Sequence, residues 1–290
     1  FLSMNPFSSR CCQHNHAQGW PYFTEHLVLA TPDNGVATAI YAACKATVKV
    51  GDGKEITLHE ETNYPFEEGI AFTVSTDEKV AFPFYLRIPS WTQKVEVRVN
   101  GKKVSAAPVA GKYLCINREW ANGDCVELTL PMSLSMRTWQ VNKNSVSVDY
   151  GPLTLSLKIA EKYVEKDSRE TAIGDSKWQK GADSKKWPTT EIYPDSPWNY
   201  SLVLDKKEPL KNFKVIRKSW PADNYPFTAT SVPLEVKAIG RPVPEWKIDE
   251  TGLCGVLPEE DAVKGDKEEI TLIPMGAARL RISAFPNTKE

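Results

Sequence analysis

Val95-Glu96-Val97-Arg98-Val99 alternates apolar and charged residues and runs straight into Asn100-Gly101. Alternation with period two places the three valines on one face of an extended strand and the charged pair on the other. Asn-Gly then supplies consecutive positive φ angles, the geometry of a tight two-residue hairpin. These seven residues set the class, and the chain around them is read as β structure.

The same signal repeats on both sides. Short β-type runs occupy 36–41, 45–50, 55–60, 70–74 and 82–88 before the hairpin, and 113–116 and 126–130 after it. Short strands at regular spacing with turn residues between them predict a β-sandwich, placed at 35–140. A second set at 146–148, 153–157, 202–204, 234–236, 270–273 and 280–282 predicts a second sandwich over 141–290. Between 161 and 199 the chain is polar, Lys-rich and interrupted by prolines, and it carries Trp178, Trp187 and Trp198. That stretch is expected to be a long irregular excursion.

Helical signal is confined to residues 1–34. Pro21 suits the first turn of a helix, and Tyr22, Phe23, Leu27 and Leu29-Ala30 follow as an apolar face. Thr31-Pro32-Asp33-Asn34-Gly35 then ends it. One short helix makes a poor domain of its own, and Phe1-Leu2-Ser3-Met4 resembles neither a native start nor a signal peptide. The chain is therefore expected to be the C-terminal part of a longer polypeptide.

Composition narrows the function. Lys and Arg number 36 against 37 Asp and Glu, so the basic excess of a nucleic-acid binder is missing. No apolar run approaches the roughly 20 residues of a membrane helix. Six cysteines in 290 residues are too few for a disulfide-built scaffold. No phosphate loop, nucleophile elbow or dinucleotide fingerprint is present.

The densest chemistry lies in Arg10-Cys11-Cys12-Gln13-His14-Asn15-His16-Ala17-Gln18-Gly19-Trp20-Pro21, which holds two of the four histidines in the chain. Thiolates and imidazoles are the ligands zinc prefers, and a thiolate beside a metal or cation is a competent nucleophile. The spacing is not that of a zinc finger, so any metal needs ligands from elsewhere. Packing of two small thiols and two surface imidazoles remains the competing account. Trp20 is read either as a stacking surface for a sugar or as a core Trp at the helix start. Cys44, Cys115, Cys125 and Cys254 are expected to be buried structural thiols. His26 and His59 are expected to be packing or surface groups. Glu60-Glu61, Glu67-Glu68 and Glu259-Glu260 are neighbours in sequence, so on strands they point to opposite faces and do not form an acid/base pair across a glycosidic bond.

Cys-Cys-x-x-Asn before a helix, then Phe84-Tyr85-Leu86-Arg87-Ile88-Pro89-Ser90-Trp91, Val97-Arg98-Val99-Asn100-Gly101-Lys102, Tyr150-Gly151-Pro152-Leu153 and Leu272-Ile273-Pro274-Met275-Gly276 form an ordered motif set. In this order the set resembles glycoside hydrolase family 127, the β-L-arabinofuranosidase-like proteins, from Cys11 to about Pro286. The resemblance implies an (α/α)₆-barrel catalytic domain followed by β-sandwich domains, of which this chain holds the C-terminal part and a short helical remnant. It implies a retaining mechanism with Cys11 as nucleophile and Cys12 as zinc ligand, Cys11 also contacting the zinc. The family's acid/base Glu and its remaining Glu and Cys zinc ligands lie upstream of the cysteine pair and outside this sequence. Gln13-His14 stands where the family carries Pro-Pro, which suggests a divergent branch. His14, Asn15, His16 and Trp20 are the candidate substrate contacts, with His14 or His16 as an alternative metal ligand. The implied partners are a plant or microbial carbohydrate and the missing N-terminal helical domain, with no nucleic acid and no membrane. A polysaccharide-processing role favours secretion or the periplasm if the source is bacterial, though no residue shows a compartment.

Two other classes stand beside this one. The first is a non-catalytic carbohydrate-binding or structural β-sandwich pair with a vestigial Cys-Cys segment. The second is a small zinc-dependent interaction module around residues 11–16. The 290 residues alone are expected to show negligible hydrolysis.

Overall fold

The structure is a computed structural model, and it describes residues 10–167, 185–186, 188–250, 252–259 and 265–289. Within these the chain is mainly β, with one α-helix, α1 (Arg10–Glu25), and twenty strands. It divides into two compact units, one built on residues 14–133 and the other on residues 134–290. Among the described residues no helix is long and apolar enough to cross a membrane.

The first unit is a two-sheet sandwich. One sheet has the order β1 (Val28–Ala30), β2 (Val36–Thr38), β6 (Val80–Arg87), β9 (Tyr113–Trp120). The other has β3 (Cys44–Val50), β4 (Lys54–Thr62), β5 (Gly69–Ser75), β10 (Cys125–Thr129), β7 (Glu96–Val99), β8 (Lys102–Lys103). Alternating residues of both inner faces meet in one core. Phe72 from the second sheet packs edge-on against Phe84 from the first, with ring centres 5.4 Å apart. Trp120, fully buried, stacks on Phe82 and donates its indole N–H to the Phe82 carbonyl at 3.0 Å, which satisfies its one polar atom.

The Asn100-Gly101 hairpin is present as expected. Asn100 and Gly101 have φ of 50° and 73°, and Val99 pairs with Lys102. Asn100 does more than turn. Its side chain donates to Asp124 Oδ1 at 2.7 Å and accepts from the Cys125 N–H at 2.8 Å, which fastens the turn to the start of β10. The Thr31–Gly35 turn is also present, closed by the Thr31 N–H to the Gly35 carbonyl at 3.1 Å. Gly35 is required there, since a Cβ would lie 2.3 Å from the Pro83 carbonyl oxygen.

The helix differs from expectation. It starts at Arg10, encloses Pro21 and ends at Glu25, and Val28–Ala30 is the strand β1 rather than its last turn. The register Val28↔Thr38, Leu29↔Ala37, Ala30↔Val36 explains why: the Thr31–Gly35 turn folds these residues into a hairpin ladder, whose hydrogen bonds replace helical ones.

The second unit is organised differently. One eight-stranded sheet runs β11 (Leu134–Trp139), β12 (Ser145–Tyr150), β13 (Leu153–Leu157), β19 (Glu268–Pro274), β18 (Leu234–Pro242), β16 (Tyr200–Leu204), β20 (Asn287–Lys289), with β17 (Lys214–Arg217) paired to β18. β11 lies within the span expected for the first sandwich, yet it pairs along its whole length with β12. The sheet also returns on itself. Val146 of β12 and Phe285 exchange backbone hydrogen bonds of 2.8 and 2.9 Å, and two residues later β20 pairs in parallel with β16. The ring so formed encloses a core that includes Leu155, Leu202, Val236, Leu272, Trp246 and Phe285. The run 280–282, expected as a strand, starts in a bend and lies outside the ladders, with Ile282 accepting from the Leu157 N–H at 2.8 Å.

The excursion expected at 161–199 is regular at its base. β14 (Glu161–Lys166) and β15 (Thr189–Pro194) form an antiparallel ladder from Glu161↔Pro194 to Lys166↔Thr189. Trp178 and Trp187 lie outside the described residues.

Candidate functional site

All six sequence-derived site residues fall on α1. At 3.6 residues per turn, Cys11 and Asn15 occupy successive turns of one face, and Cys12 and His16 those of the neighbouring face. The side chains of Cys11, Cys12, His14 and His16 lie outside what the structure describes. Asn15 is exposed, and so is Trp20 at 63%. A core position for Trp20 within this chain is therefore ruled out. Its ring meets Phe23 edge-on at 6.3 Å, and Tyr22 is as exposed as Trp20.

The end of this helix is held by side chains. Thr24 Oγ1 donates to the carbonyls of Trp20 (3.1 Å) and Pro21 (2.9 Å), and His26 Nδ1 lies 2.6 Å from the Tyr22 carbonyl oxygen. The His26 contact reaches a carbonyl of the last turn, and Thr24 adds a second donor to carbonyls inside the helix. These contacts keep the aromatic residues on a formed helical turn although Pro21 removes one backbone donor.

Among the described residues no three His, Cys, Asp or Glu side chains stand together as a metal site. The four remaining cysteines are not buried. Cys115 and Cys254 are exposed, Cys44 and Cys125 half-buried. Cys115 falls on the outward face of β9, next to the buried Leu114, and Cys254 lies in a loop bridged to Ile248. His59 is exposed on β4, and His26 is exposed beyond α1.

Glu60-Glu61 lies on β4 and alternates as a strand requires, whereas Glu67-Glu68 sits in the turn before β5 and Glu259 in a loop. Glu60 is buried and Glu61 exposed. Glu68 accepts from the Met132 N–H at 3.0 Å, and Glu259 pairs with Lys143 at 2.6 Å. Glu260 lies outside the described residues.

Glu60 anchors a polar cluster that residue types alone do not announce. Its Oε1 accepts the Ala42 N–H at 3.0 Å, and its Oε2 lies 3.9 Å from Cys44 Sγ. Burial pushes its carboxyl up to about 8, against the opposing pull of the Ala42 hydrogen bond. Burial and the nearby Glu60 push the Cys44 thiol up to about 11. Close by, Tyr41 donates to the Arg87 carbonyl at 2.6 Å, and burial raises its hydroxyl too. A thiol and an acid both held neutral are the opposite of an activated nucleophile and its base. The cluster is structural.

Trp198 belongs to the core of the second unit, packing at 5.2 Å against Trp246. It is half-buried there.

Comparisons with known proteins agree with the motif reading. Residues 35–132 match the family model of the beta-L-arabinofuranosidase GH127 middle domain. Three solved structures share the fold over nearly all of this chain. A GH127 beta-L-arabinofuranosidase from Geobacillus stearothermophilus is 21% identical, with a TM-score of 0.64 over 97% of this chain and 38% of that one. A glycoside hydrolase is 21% identical, with a TM-score of 0.62 over 97% and 40%. A GH127 beta-arabinofuranosidase is 22% identical, with a TM-score of 0.63 over 99% and 41%. The chain thus spans about two fifths of the length of these proteins. No curated protein matches it.

Proposed function

We propose that this chain is the C-terminal portion of a retaining glycoside hydrolase resembling the β-L-arabinofuranosidases, and that α1, the end of its helical catalytic domain, carries the thiol half of its active site. The observation that carries this is the match of residues 35–132 to the GH127 middle domain. Supporting it are the fold shared over 97–99% of this chain with proteins more than twice as long, and the exposed aromatic residues of α1. Tyr22 and Phe23 present apolar surface that a neighbouring helical domain of the same polypeptide would cover.

In this proposal Cys11 is the nucleophile. Its thiolate sulfur bonds to the anomeric carbon as the bond to the leaving-group oxygen breaks, and a carboxylic acid from outside this chain protonates that oxygen. Water then cleaves the carbon–sulfur bond, restoring the thiol and the original anomeric configuration. The donor chemistry of α1, two thiols and two imidazoles within two turns, fits a zinc ion. Cys11 and Cys12 would hold it, and its bound charge would keep the thiol ionised near neutral pH. Since a closed zinc site takes four ligands, the others come from outside this chain. Asn15 and Trp20, both exposed, would face the sugar, with His14 and His16 on adjoining positions.

The test is hydrolysis of an aryl β-L-arabinofuranoside by the full-length polypeptide, by its Cys11→Ala variant, and by the 290-residue chain alone. Activity is expected only in the first. Full activity of the Cys11→Ala variant, or robust turnover by the 290 residues, refutes the proposal. Glycan binding without turnover by the full-length protein would establish the non-catalytic module instead.

A further inference from the structure

A cleft of about 570 Å³ opens in the second unit, within the range of about 300–1,000 Å³ that small-ligand sites occupy. One wall is β15 with Tyr193, 45% exposed, and Trp198. A second is the loop carrying Ile248 and Leu253, both exposed apolar residues. The third is the segment with Arg279 and Arg281, which bends at residues 279–280.

The walls are preformed. Trp198 is held by Trp246, whose indole N–H donates to the Gly255 carbonyl at 2.9 Å. Asn199 Nδ2 donates to the carbonyls of Val243 and Trp246. The loop is closed by the Ile248↔Cys254 bridge, by the Asp249 N–H to the Leu253 carbonyl at 2.8 Å, and by the Gly255 N–H to the Lys247 carbonyl at 2.9 Å. Little ordering is left for a ligand to impose, which favours binding.

The charge in the cleft is positive. Among the described residues neither arginine is in an ion pair. The Arg279 guanidinium lies 5.8 Å from the centre of the Tyr163 ring and hydrogen-bonds that side chain, with the Glu161 carboxylate beside it on the Arg279 backbone N–H at 3.2 Å, and Arg281 spends only its Nε, on the Ala278 carbonyl at 2.8 Å. The one acidic lining residue, Glu191, is already engaged by Lys166 at 3.8 Å and by the Tyr193 hydroxyl. Two guanidiniums with free donors are suited to a carboxylate, which they grip through paired N–H bonds. Tyr193 and the apolar loop are suited to the C–H face of a pyranose ring.

The geometry points to this cleft as a binding subsite for a uronate residue of an acidic oligosaccharide. Arg279 and Arg281 take the carboxylate and Tyr193 takes the ring. The choice of a sugar over another carboxylate rests on the glycosidase proposal above, whereas the cleft and its charge do not.

The test is calorimetric titration of the 290-residue chain with trigalacturonate, its methyl ester and triglutamate. It is repeated on the Arg279→Ala/Arg281→Ala and Tyr193→Ala variants, whose folding is checked by thermal melts. Trigalacturonate is expected to bind, and the ester and triglutamate roughly tenfold or more weaker, as loss of a charge-assisted pair or of the ring contact requires. The double variant should lose the preference for acid over ester, and Tyr193→Ala should weaken both sugars. Equal binding of acid and ester, no binding of trigalacturonate at millimolar concentration, or a double variant that binds as the parent does would overturn the inference. Triglutamate binding as tightly as trigalacturonate would overturn the sugar assignment while leaving the Cys11 proposal untouched.

Discussion

Replacing Glu60 with glutamine should flatten the pH dependence of the first unit's stability. Glu60 is buried on β4, and its carboxyl is pushed from an ordinary 4.5 up to about 8. Between these values the native state holds a proton that the unfolded chain has released. The unfolded state therefore binds fewer protons, and the free energy of unfolding falls as pH rises through this window. The contribution is complete below pH 4.5, declines up to about 8, and is then absent. At 1.36 kcal/mol per pH unit the whole displacement amounts to about 5 kcal/mol, a ceiling that relaxation around the site will lower. The amide of the Glu60→Gln variant would keep an oxygen for the Ala42 N–H and carry no titrating proton. Urea unfolding of parent and variant at about pH 5, 6.5 and 8, followed by tryptophan fluorescence, measures the difference directly. The variant should gain on the parent by several kcal/mol from the lowest pH to the highest. Parallel stability profiles for the two proteins would refute a neutral, buried Glu60.

Other substitutions test the frame around it. Asn100→Ala removes two side-chain hydrogen bonds and leaves alanine, which disfavours positive φ, at the turn, so it should cost about 2–3 kcal/mol in urea unfolding. Asn100→Gly should recover part of that by relieving the backbone. Phe72→Ala should cost about 3–5 kcal/mol by opening a cavity between the sheets, and a loss under 1 kcal/mol would deny their common core. In the folded protein Cys115 and Cys254 should react with a maleimide well before Cys44, whose thiol is raised to about 11. Comparable rates at pH 7 would contradict the shielding of Cys44 beside Glu60.

Much of the β architecture is legible in the sequence because alternation reports burial directly. Asn100-Gly101 announces its turn, and Val95 to Val99 announce their faces. Even Glu60 is visible in principle: it shares the inward face of β4 with Ile56 and Leu58, and only its charge argues for the surface. The helix is harder. α1 contains Gly19 and Pro21, and its described side chains, Asn15 and those from Gln18 to Glu25, are exposed, so they form no buried stripe. Strands such as β17 and β20 are four and three residues long, too short for periodicity to register, and their place is set by partners far away in sequence. The candidate site is legible only as a cluster of residue types on one segment. Helical periodicity orders those residues along α1, but a site built from several segments does not reside in one of them.

The closed ring of the second unit also has a history in time. Ser147 donates to the Ser283 carbonyl across 136 positions, and Val146 waits on Phe285 in the same way. During synthesis, β12 and β16 leave the ribosome long before the segment that joins them. Until residues 285–289 emerge, both strands keep a bare edge, the kind of edge that recruits other chains. The second unit therefore completes its folding only once residues 285–289 have emerged, and chaperone contact should persist until then. Chains arrested before residue 285 should stay protease-sensitive within residues 134–274 while the first unit is already resistant, and early resistance of both would show that the ring closes without its last stave.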